Sequence, residues 1–350
     1  MDNSSQRKIL RVSPACEIPQ LAGEITAALA GDGPTLGFGE ISSQTAPNYA
    51  AVAIGTSGST GSPKEVLLSA SAVLASARAS NKFIGAIPGQ TWSLLLPLTH
   101  IAAVNVIVRA NELGTVAIDC RDSKGEYPIA DYTSIVPTQL FRALNGDDNL
   151  LNHLKSTKAV LVGGAALSAS LRNQAETAGI TVITTYGMTE SCGGCVYDGV
   201  ALDGVEIEIR NQKICIKGPV LASSVVLNNG WFETNDLGEY ENNRLLVIGR
   251  SDDVIISGGE NLSLIAVEDS LTIAFPNIQF AAFAIEDPRW GQSLQLAVVG
   301  DIEDEEIAAH LENELGAFAK PKGIHRMKSL PLLGIGKVDR KSLAKGIAHE

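Results

Sequence analysis

Between residues 51 and 184, short apolar runs alternate with stretches of helical periodicity, and no other feature of the chain constrains its fold as strongly. Runs at 51–54, 92–96, 115–118, 134–136, 159–162 and 181–184 carry few polar residues, as strands buried on both faces do. Between them, 69–80, 138–144 and 168–178 have helical character, the last opened by Ser168 and stopped by Gly179. Parallel strands need long crossovers, and helices in those crossovers cover the sheet. The alternation therefore predicts a layered α/β fold with a largely parallel sheet.

The texture changes after about residue 195. Runs at 205–210, 213–217, 225–227 and 245–248 are β-rich, with turn signals at Asn211-Gln212, Asn228-Asn229-Gly230 and Glu241-Asn242-Asn243. That spacing suits hairpins or a small barrel. From Arg250 onward an α+β unit is expected, with helices at 265–274 and 303–315 and strands at 279–284 and 294–299. The reading is two domains: 1–249, layered α/β subdomains plus a small β-rich part, and 250–350, a small mobile α+β domain.

Charge excludes one class of partner. With 27 basic against 39 acidic side chains the net charge is −12, so no nucleic-acid-binding surface is expected, and an anionic ligand must be held by local donors. The last stretch is basic by contrast, with Lys320, Lys322, Arg326, Lys328, Lys337, Arg340, Lys341 and Lys345. The first residues form no apolar leader, and the greasiest stretch, 94–108, is interrupted by Pro97, His100 and Asn105 and is too short to cross a bilayer. Five cysteines, an odd number, do not read as a disulfide framework. A cytoplasmic enzyme or binding protein without membrane insertion is expected.

Gly55-Thr56-Ser57-Gly58-Ser59-Thr60-Gly61-Ser62-Pro63-Lys64 follows a buried strand and is expected to precede a helix. Glycines let backbone N–H groups turn inward, and hydroxyls with one lysine can surround an anion; a plain Ser/Gly loop has the same composition. The spacing is not that of a Walker loop, and no G-x-G-x-x-G occurs in the chain. Cys192-Gly193-Gly194-Cys195 has redox or zinc spacing, yet no second Cys/His pair accompanies it.

Six segments in order resemble the acyl-adenylating superfamily of acyl-CoA synthetases, adenylation domains and luciferases. They are the 55–64 loop, Gly163-Gly164-Ala165, Tyr186-Gly187-Met188-Thr189-Glu190, Trp231 to Gly238 around Asp236, Gly249-Arg250-Ser251-Asp252-Asp253, and Gly336-Lys337-Val338-Asp339-Arg340. Val136-Pro137-Thr138-Gln139-Leu140-Phe141-Arg142, with Pro97 to His100 and Ile256 to Asn261, is similar to the o-succinylbenzoate–CoA ligase branch. Other aryl- or acyl-CoA ligases, carrier-protein-loading enzymes and non-catalytic nucleotide-binding relatives remain open alternatives.

The resemblance implies ATP, CoA and an aromatic dicarboxylate as small-molecule substrates, with Mg²⁺ as cofactor and a homodimer as a common assembly. It implies that Thr56, Ser57, Gly58, Ser59, Thr60 and Lys64 hold the β- and γ-phosphates and Thr189 the α-phosphate, with Glu190 as the magnesium carboxylate. Gly163, Gly164, Ala165, Tyr186 and Gly187 would form the adenine pocket, and Asp236 with Arg250 the ribose site. His100, Arg142 and Ser191 would face the acyl group. Lys337 is the expected catalytic cation, Asp252 the hinge, and Ser257, Gly258 and Gly259 the CoA tunnel. Three departures stand out: a short segment before the phosphate loop, Glu65 where a glycine commonly follows Pro-Lys, and Thr99 in place of an aromatic residue.

Overall fold

The computed structural model describes the chain except residues 1–5, 58–62, 124, 252, 258, 288, 290, 332–337 and 348–350. Contacts divide it into two compact units. One comprises Met1–Arg210, Cys215–Thr234 and Tyr240–Leu245; the other comprises Asn211–Ile214, Asn235–Glu239 and Leu246–Glu350.

The first unit opens with β1 (Gln6–Arg11), β2 (Thr35–Phe38), β3 (Thr45–Pro47), β4 (Ala50–Ser57) and β5 (Pro63–Ser69), in the spatial order β3-β1-β2-β4-β5. The inner three strands are parallel and the two edges antiparallel. Helix α1 (Ile18–Ala30) buries Ile18, Leu21, Ala22, Ile25 and Ala28 at helical spacing, and Gly31 ends it at φ 92°, a left-handed conformation that glycine adopts freely. Helix α2 (Ala70–Phe83) starts where expected, because the Ser69 hydroxyl accepts the Ala72 N–H at 3.2 Å.

A second sheet holds β6 (Trp92–Leu94), β7 (Ile118–Asp119), β8 (Tyr132–Ile135), β9 (Ala159–Val162), β10 (Val182–Met188), β11 (Gly193–Tyr197) and β12 (Val200–Ala201). Its order is β12-β11-β10-β9-β8-β6-β7, parallel from β7 through β10 and antiparallel beyond. This is the layered α/β fold with a largely parallel sheet that the alternation predicts. Helices α3 (Ile101–Glu112), α4 (Pro137–Leu144), α5 (Asp148–Ser156) and α6 (Ala169–Thr177) complete the layers. Helices α1, α2 and α3 lie between the sheets: α1 packs on β2 and β4, α2 on β4, β5 and β11, and α3 on β6, β8 and β11.

Helix α3 was hidden in the apolar run because it is buried nearly all round, from Ala103 through Ala110, leaving no polar stripe to mark a period. The expected strand 115–118 pairs only at Ile118–Asp119, since the Thr115 N–H is already spent on the Ala110 carbonyl (3.0 Å).

Strands β13 (Glu206–Arg210), β14 (Lys213–Lys217), β15 (Phe232–Glu241) and β16 (Arg244–Arg250) form a four-stranded sheet in chain order. Asn211, Gln212, Asn242 and Asn243 sit at positive φ in its tight turns. The expected strand 225–227 is a loop instead: Val226 is 88% exposed, and the backbone folds back in an Asn228–Trp231 bridge. An apolar stretch without a partner strand has no ladder to join.

The second unit contains β17 (Val254–Ser257), β18 (Glu260–Ser263), β19 (Gln279–Asp287), β20 (Gly291–Val299) and β21 (Gly323–Arg326), ordered β18-β17-β20-β19 with β21 parallel to β20. Helices α7 (Leu264–Ala274) and α8 (Asp304–Leu315) bury Val267, Leu271, Ile307 and Leu311 against one face. Helix α9 (Arg340–Ile347) buries Leu343 with Ala281, Phe283 and Ala297 on the other.

Candidate active site

The two ends of the 55–64 segment lie on paired antiparallel strands. Strand β4 runs out to Ser57 and β5 returns from Pro63, with Thr56 opposite Lys64 and Gly55 opposite Glu65. Strand β5 fills the stretch between the loop and the helix that begins at Ala70, where it was expected. That strand alternates: Val66 and Leu68 are fully buried while Glu65, Leu67 and Ser69 are half-buried, the period-two pattern of an edge strand on a core. The Thr56 hydroxyl donates to the Lys64 carbonyl at 3.0 Å. Gly58, Ser59 and Thr60 lie outside the described residues.

A strap between β2 and β3 braces this hairpin. A Cβ on Gly55 would stand 2.2 Å from the Glu40 carbonyl oxygen, so only glycine lets the strap approach. Glu65, the departure from the family pattern, anchors the strap. Its Oε1 accepts the Ser42 N–H (2.7 Å), the Ser42 hydroxyl (2.8 Å) and the Ser43 N–H (3.0 Å). Burial pushes its carboxyl upward, but hydrogen bonds from Ser43 and Ser42 outweigh that and hold it at about 2.

Opposite the hairpin, β10 carries Tyr186, Gly187 and Met188 into a single 3-10 turn, Thr189–Ser191. Gly187 is required where β10 and β11 slip register, since a Cβ there would lie 2.0 Å from the Gly193 carbonyl oxygen. Ser191, expected at the acyl group, is wholly buried. Its hydroxyl accepts the Met188 N–H (3.0 Å) and donates to the Gly193 carbonyl (2.8 Å), so it shapes the turn.

Cys192 follows at φ 51°, and its carbonyl accepts from Ser76 Oγ (2.9 Å) and Asn105 Nδ2 (2.6 Å). These clamps from α2 and α3 join residues far apart in sequence, so no local signal marked them. Burial pushes the Cys192 and Cys195 thiols up, Cys195 to about 12, which suits packing rather than reactivity.

The two motifs meet. Lys64 Nζ stands 3.6 Å from Glu190 Oε1, with the lysine 60% and the glutamate 21% exposed. Gly163, Gly164 and Ala165 emerge at the carboxyl end of β9, beside β10; Gly164 is at φ 86°, and a Cβ on Gly163 would strike Thr185 Oγ1 at 2.2 Å. Carboxyl ends of neighbouring parallel strands are where α/β sheets bind ligands.

His100 is exposed at the N-cap of α3, which rules out the core packing common for a lone histidine in an apolar run. Arg142, on α4, is engaged by Asp147 at 3.0 Å and is still 56% exposed. Sequence reasoning passed over Arg109, which is 4% exposed with its guanidinium 5.1 Å over Trp92 and donating to the Tyr197 hydroxyl at 2.9 Å. It joins α3 to β6 and β11 within the core.

In the second unit Asp236 is largely buried and lies 3.7 Å from Arg250 Nη1. Ser257 ends β17, and Gly259 turns at φ 92° toward β18 with open space around its Cα. Asp252, Gly258 and Lys337 lie outside the described residues.

The profile of the family described as AMP-binding enzyme matches residues 11–223, and that of the AMP-binding enzyme C-terminal domain matches residues 269–337. A curated relative, the probable 2-succinylbenzoate–CoA ligase of Mycobacterium tuberculosis, is 38% identical over 329 residues, spanning 86% of this chain and 85% of its own. The 2-succinylbenzoate–CoA ligase of Escherichia coli is 31% identical over 317 residues, spanning 84% and 68%. Among solved structures, wild-type E. coli MenE with a bound m-phenylether-linked analogue of OSB-AMS aligns with TM-score 0.63 at 25% identity over 98% of this chain and 83% of that one. The o-succinylbenzoate CoA synthetase (MenE) of Bacillus subtilis, in complex with the acyl-adenylate intermediate OSB-AMP, has TM-score 0.70 at 22% identity over 92% and 80%, a likeness of fold.

Proposed function

Because the chain belongs to the family of AMP-binding enzymes, we propose that it is an AMP-forming acid–thiol ligase that joins o-succinylbenzoate to CoA. A carboxylate oxygen attacks the α-phosphorus of ATP as the bond to pyrophosphate breaks. The CoA sulfur then attacks the acyl carbon and AMP leaves. The observation that carries this reading is the meeting of the phosphate hairpin with the Thr189–Glu190 turn at the Lys64–Glu190 pair, in a chain whose relatives bear that activity.

The roles follow from chemistry. Two anions must approach, so donors and cations fixed beforehand dominate the first step. Thr56, Ser57, Gly58, Ser59, Thr60 and Lys64 hold the β- and γ-phosphates, and Thr189 the α-phosphate. The Lys64–Glu190 pair is exposed enough to be worth at most about 1 kcal/mol, so a nucleotide can take the lysine and free the glutamate.

Among the described residues no three His, Cys, Asp or Glu side chains converge as a metal cage. A hard cation beside Glu190 would therefore draw most of its oxygens from phosphate and water, which suits Mg²⁺. There it would neutralise phosphate charge. Tyr186 stacks on adenine against Gly163, Gly164, Ala165 and Gly187, while Asp236 accepts from the ribose hydroxyls beside Arg250.

Lys337 supplies the cation between carboxylate and α-phosphate. His100 borders the carboxylate, Arg142 exchanges Asp147 for the second carboxylate of the acyl group, and Ser191 sets the pocket wall through its turn. For the second step, rotation at Asp252 withdraws Lys337 and presents Ser257, Gly258 and Gly259 to the pantetheine arm. We assign the reaction to the cytoplasm, where cysteine thiols stay reduced.

ATP–pyrophosphate exchange over a panel of acids tests the substrate. Exchange is expected with o-succinylbenzoate; exchange with benzoates or fatty acids alone would move the enzyme to another acyl class. Thioester formation on CoA, and not on a phosphopantetheinyl protein, is the expected acceptor result.

A further inference from the structure

Helix α5 and the loop before β8 share an aromatic contact that the steps above do not use. His153, on α5, is buried, and its Nε2 meets Ser93 Oγ of β6 at 2.8 Å. The half-buried Tyr127 ring, from the stretch between β7 and β8, stacks on this imidazole with centroids 5.1 Å apart and planes at 30°. Tyr127 is thus set against a side chain that is itself tied to the second sheet. Its hydroxyl lies within hydrogen-bond reach of the Arg142 guanidinium on α4, with the Asp147 carboxylate close by.

The stack does not need that hydroxyl, since phenylalanine would pack on the imidazole equally well. What the hydroxyl can do follows from its neighbours. Arg142 pairs through Nε with Asp147 Oδ2 at 3.0 Å, and a guanidinium carries more N–H donors than one carboxylate and one phenol can use. Asp147 also caps α5, its Oδ1 accepting the Leu150 N–H at 3.0 Å, so it keeps a partner when a ligand takes the guanidinium. Burial, reinforced by the Asp147 charge, pushes the Tyr127 hydroxyl up while Arg142 pulls against both, so the phenol is protonated at neutral pH. A phenol that accepts from a guanidinium has its own proton to give. The Asp147 charge opposes an incoming anion and partly cancels the arginine; the O–H adds an attraction that Asp147 does not neutralise.

Resting on the function proposed above, we propose that Tyr127 is a specificity-determining residue, the second donor that with Arg142 receives the far carboxylate of the acid. An acid lacking that carboxylate leaves the guanidinium and the phenol without their common acceptor. A site built to hydrogen-bond a group discriminates most strongly against the analogue that lacks it. The ring supplies direction, because a hydroxyl on a stacked ring has little freedom left to lose on binding. His153, sheltered from solvent, sets that ring in place.

The test uses the full chain and two acids, o-succinylbenzoate and an analogue with hydrogen in place of the second carboxylate. Tyr127→Phe keeps the stack and removes only the hydroxyl. It is expected to lower kcat/KM for o-succinylbenzoate adenylation about tenfold through KM, with kcat and KM for MgATP within about twofold. Binding of the analogue, read by calorimetry, should stay within about twofold. In an Arg142→Ala background the same substitution should cost only about twofold, because the two donors act on one carboxylate. A variant as selective as wild type, or one that loses both acids equally, overturns the specificity role. Should the variant fail to fold, the wild type still decides: equal affinity for the two acids overturns the proposal, and a preference of about tenfold or more for o-succinylbenzoate upholds a far-carboxylate site. A wild-type chain that does not adenylate o-succinylbenzoate overturns the functional reading itself, and the proposal with it.

Discussion

Replacing Glu65 by alanine removes the acceptor that holds the strap to the phosphate hairpin, and the consequence can be worked from its surroundings. One oxygen takes two backbone N–H groups and a hydroxyl, and the carboxyl sits at about 2 against an ordinary 4.5. At about 1.36 kcal/mol per unit, that depression corresponds to roughly 3.4 kcal/mol. The group is only partly buried, so screening by solvent cuts this to about 1–2 kcal/mol.

The sign follows from linkage. The folded form holds its proton less tightly than the unfolded chain, so the stabilisation is complete above the unfolded value near 4.5. It drains away as pH falls toward 2. Thermal unfolding of the wild type, Glu65→Ala and Glu65→Gln between pH 3.5 and 8 reads this directly. Near neutrality the alanine variant should melt about 3–6 °C lower, and glutamine, still an acceptor but uncharged, should fall between. The gap should be flat from pH 6 to 8 and narrow below about 4.5. A variant as stable as wild type at pH 7, or a gap indifferent to acid, would refute the clamp.

Three further outcomes are expected. Gly55→Ala forces a methyl to within 2.2 Å of the Glu40 carbonyl oxygen, and should cost about 1–3 kcal/mol and weaken ATP binding; calorimetric titration showing unchanged affinity would contradict the packing. Asn105→Ala deletes the 2.6 Å bond to the Cys192 carbonyl, and should raise KM for MgATP several-fold for a loss of about 1–2 kcal/mol, with KM for the acid little changed. Native protein at pH 8 should react with thiol reagents at Cys16 before Cys120, Cys192, Cys195 or Cys215, all four of which are buried; rapid labelling of Cys192 or Cys195 without denaturant would show that the turn opens.

Much of the architecture is written in neighbouring residues. The run 159–162 is β9, 213–217 is β14, and 168–178 is α6 with its two caps, because period, serine cap and glycine stop act over one or two turns of chain. The order of the nucleotide motifs, and hence the class of chemistry, is likewise legible without coordinates. Other features had no local mark. Helix α3 shows no period because it is buried on nearly every side, and β5, for which no strand was read, forms because β4 offers it a ladder.

The contacts that make a site of these motifs span tens to hundreds of residues. Lys64 meets Glu190, Asn105 holds Cys192, and Glu65 ties down Ser42. The amino-acid order alone marked which segments we propose to bind phosphate and which elements form. Which side chains face one another was decided only by sheet register and helix packing, because an ion pair or hydrogen bond depends on distance in space, and distance along the chain does not set it.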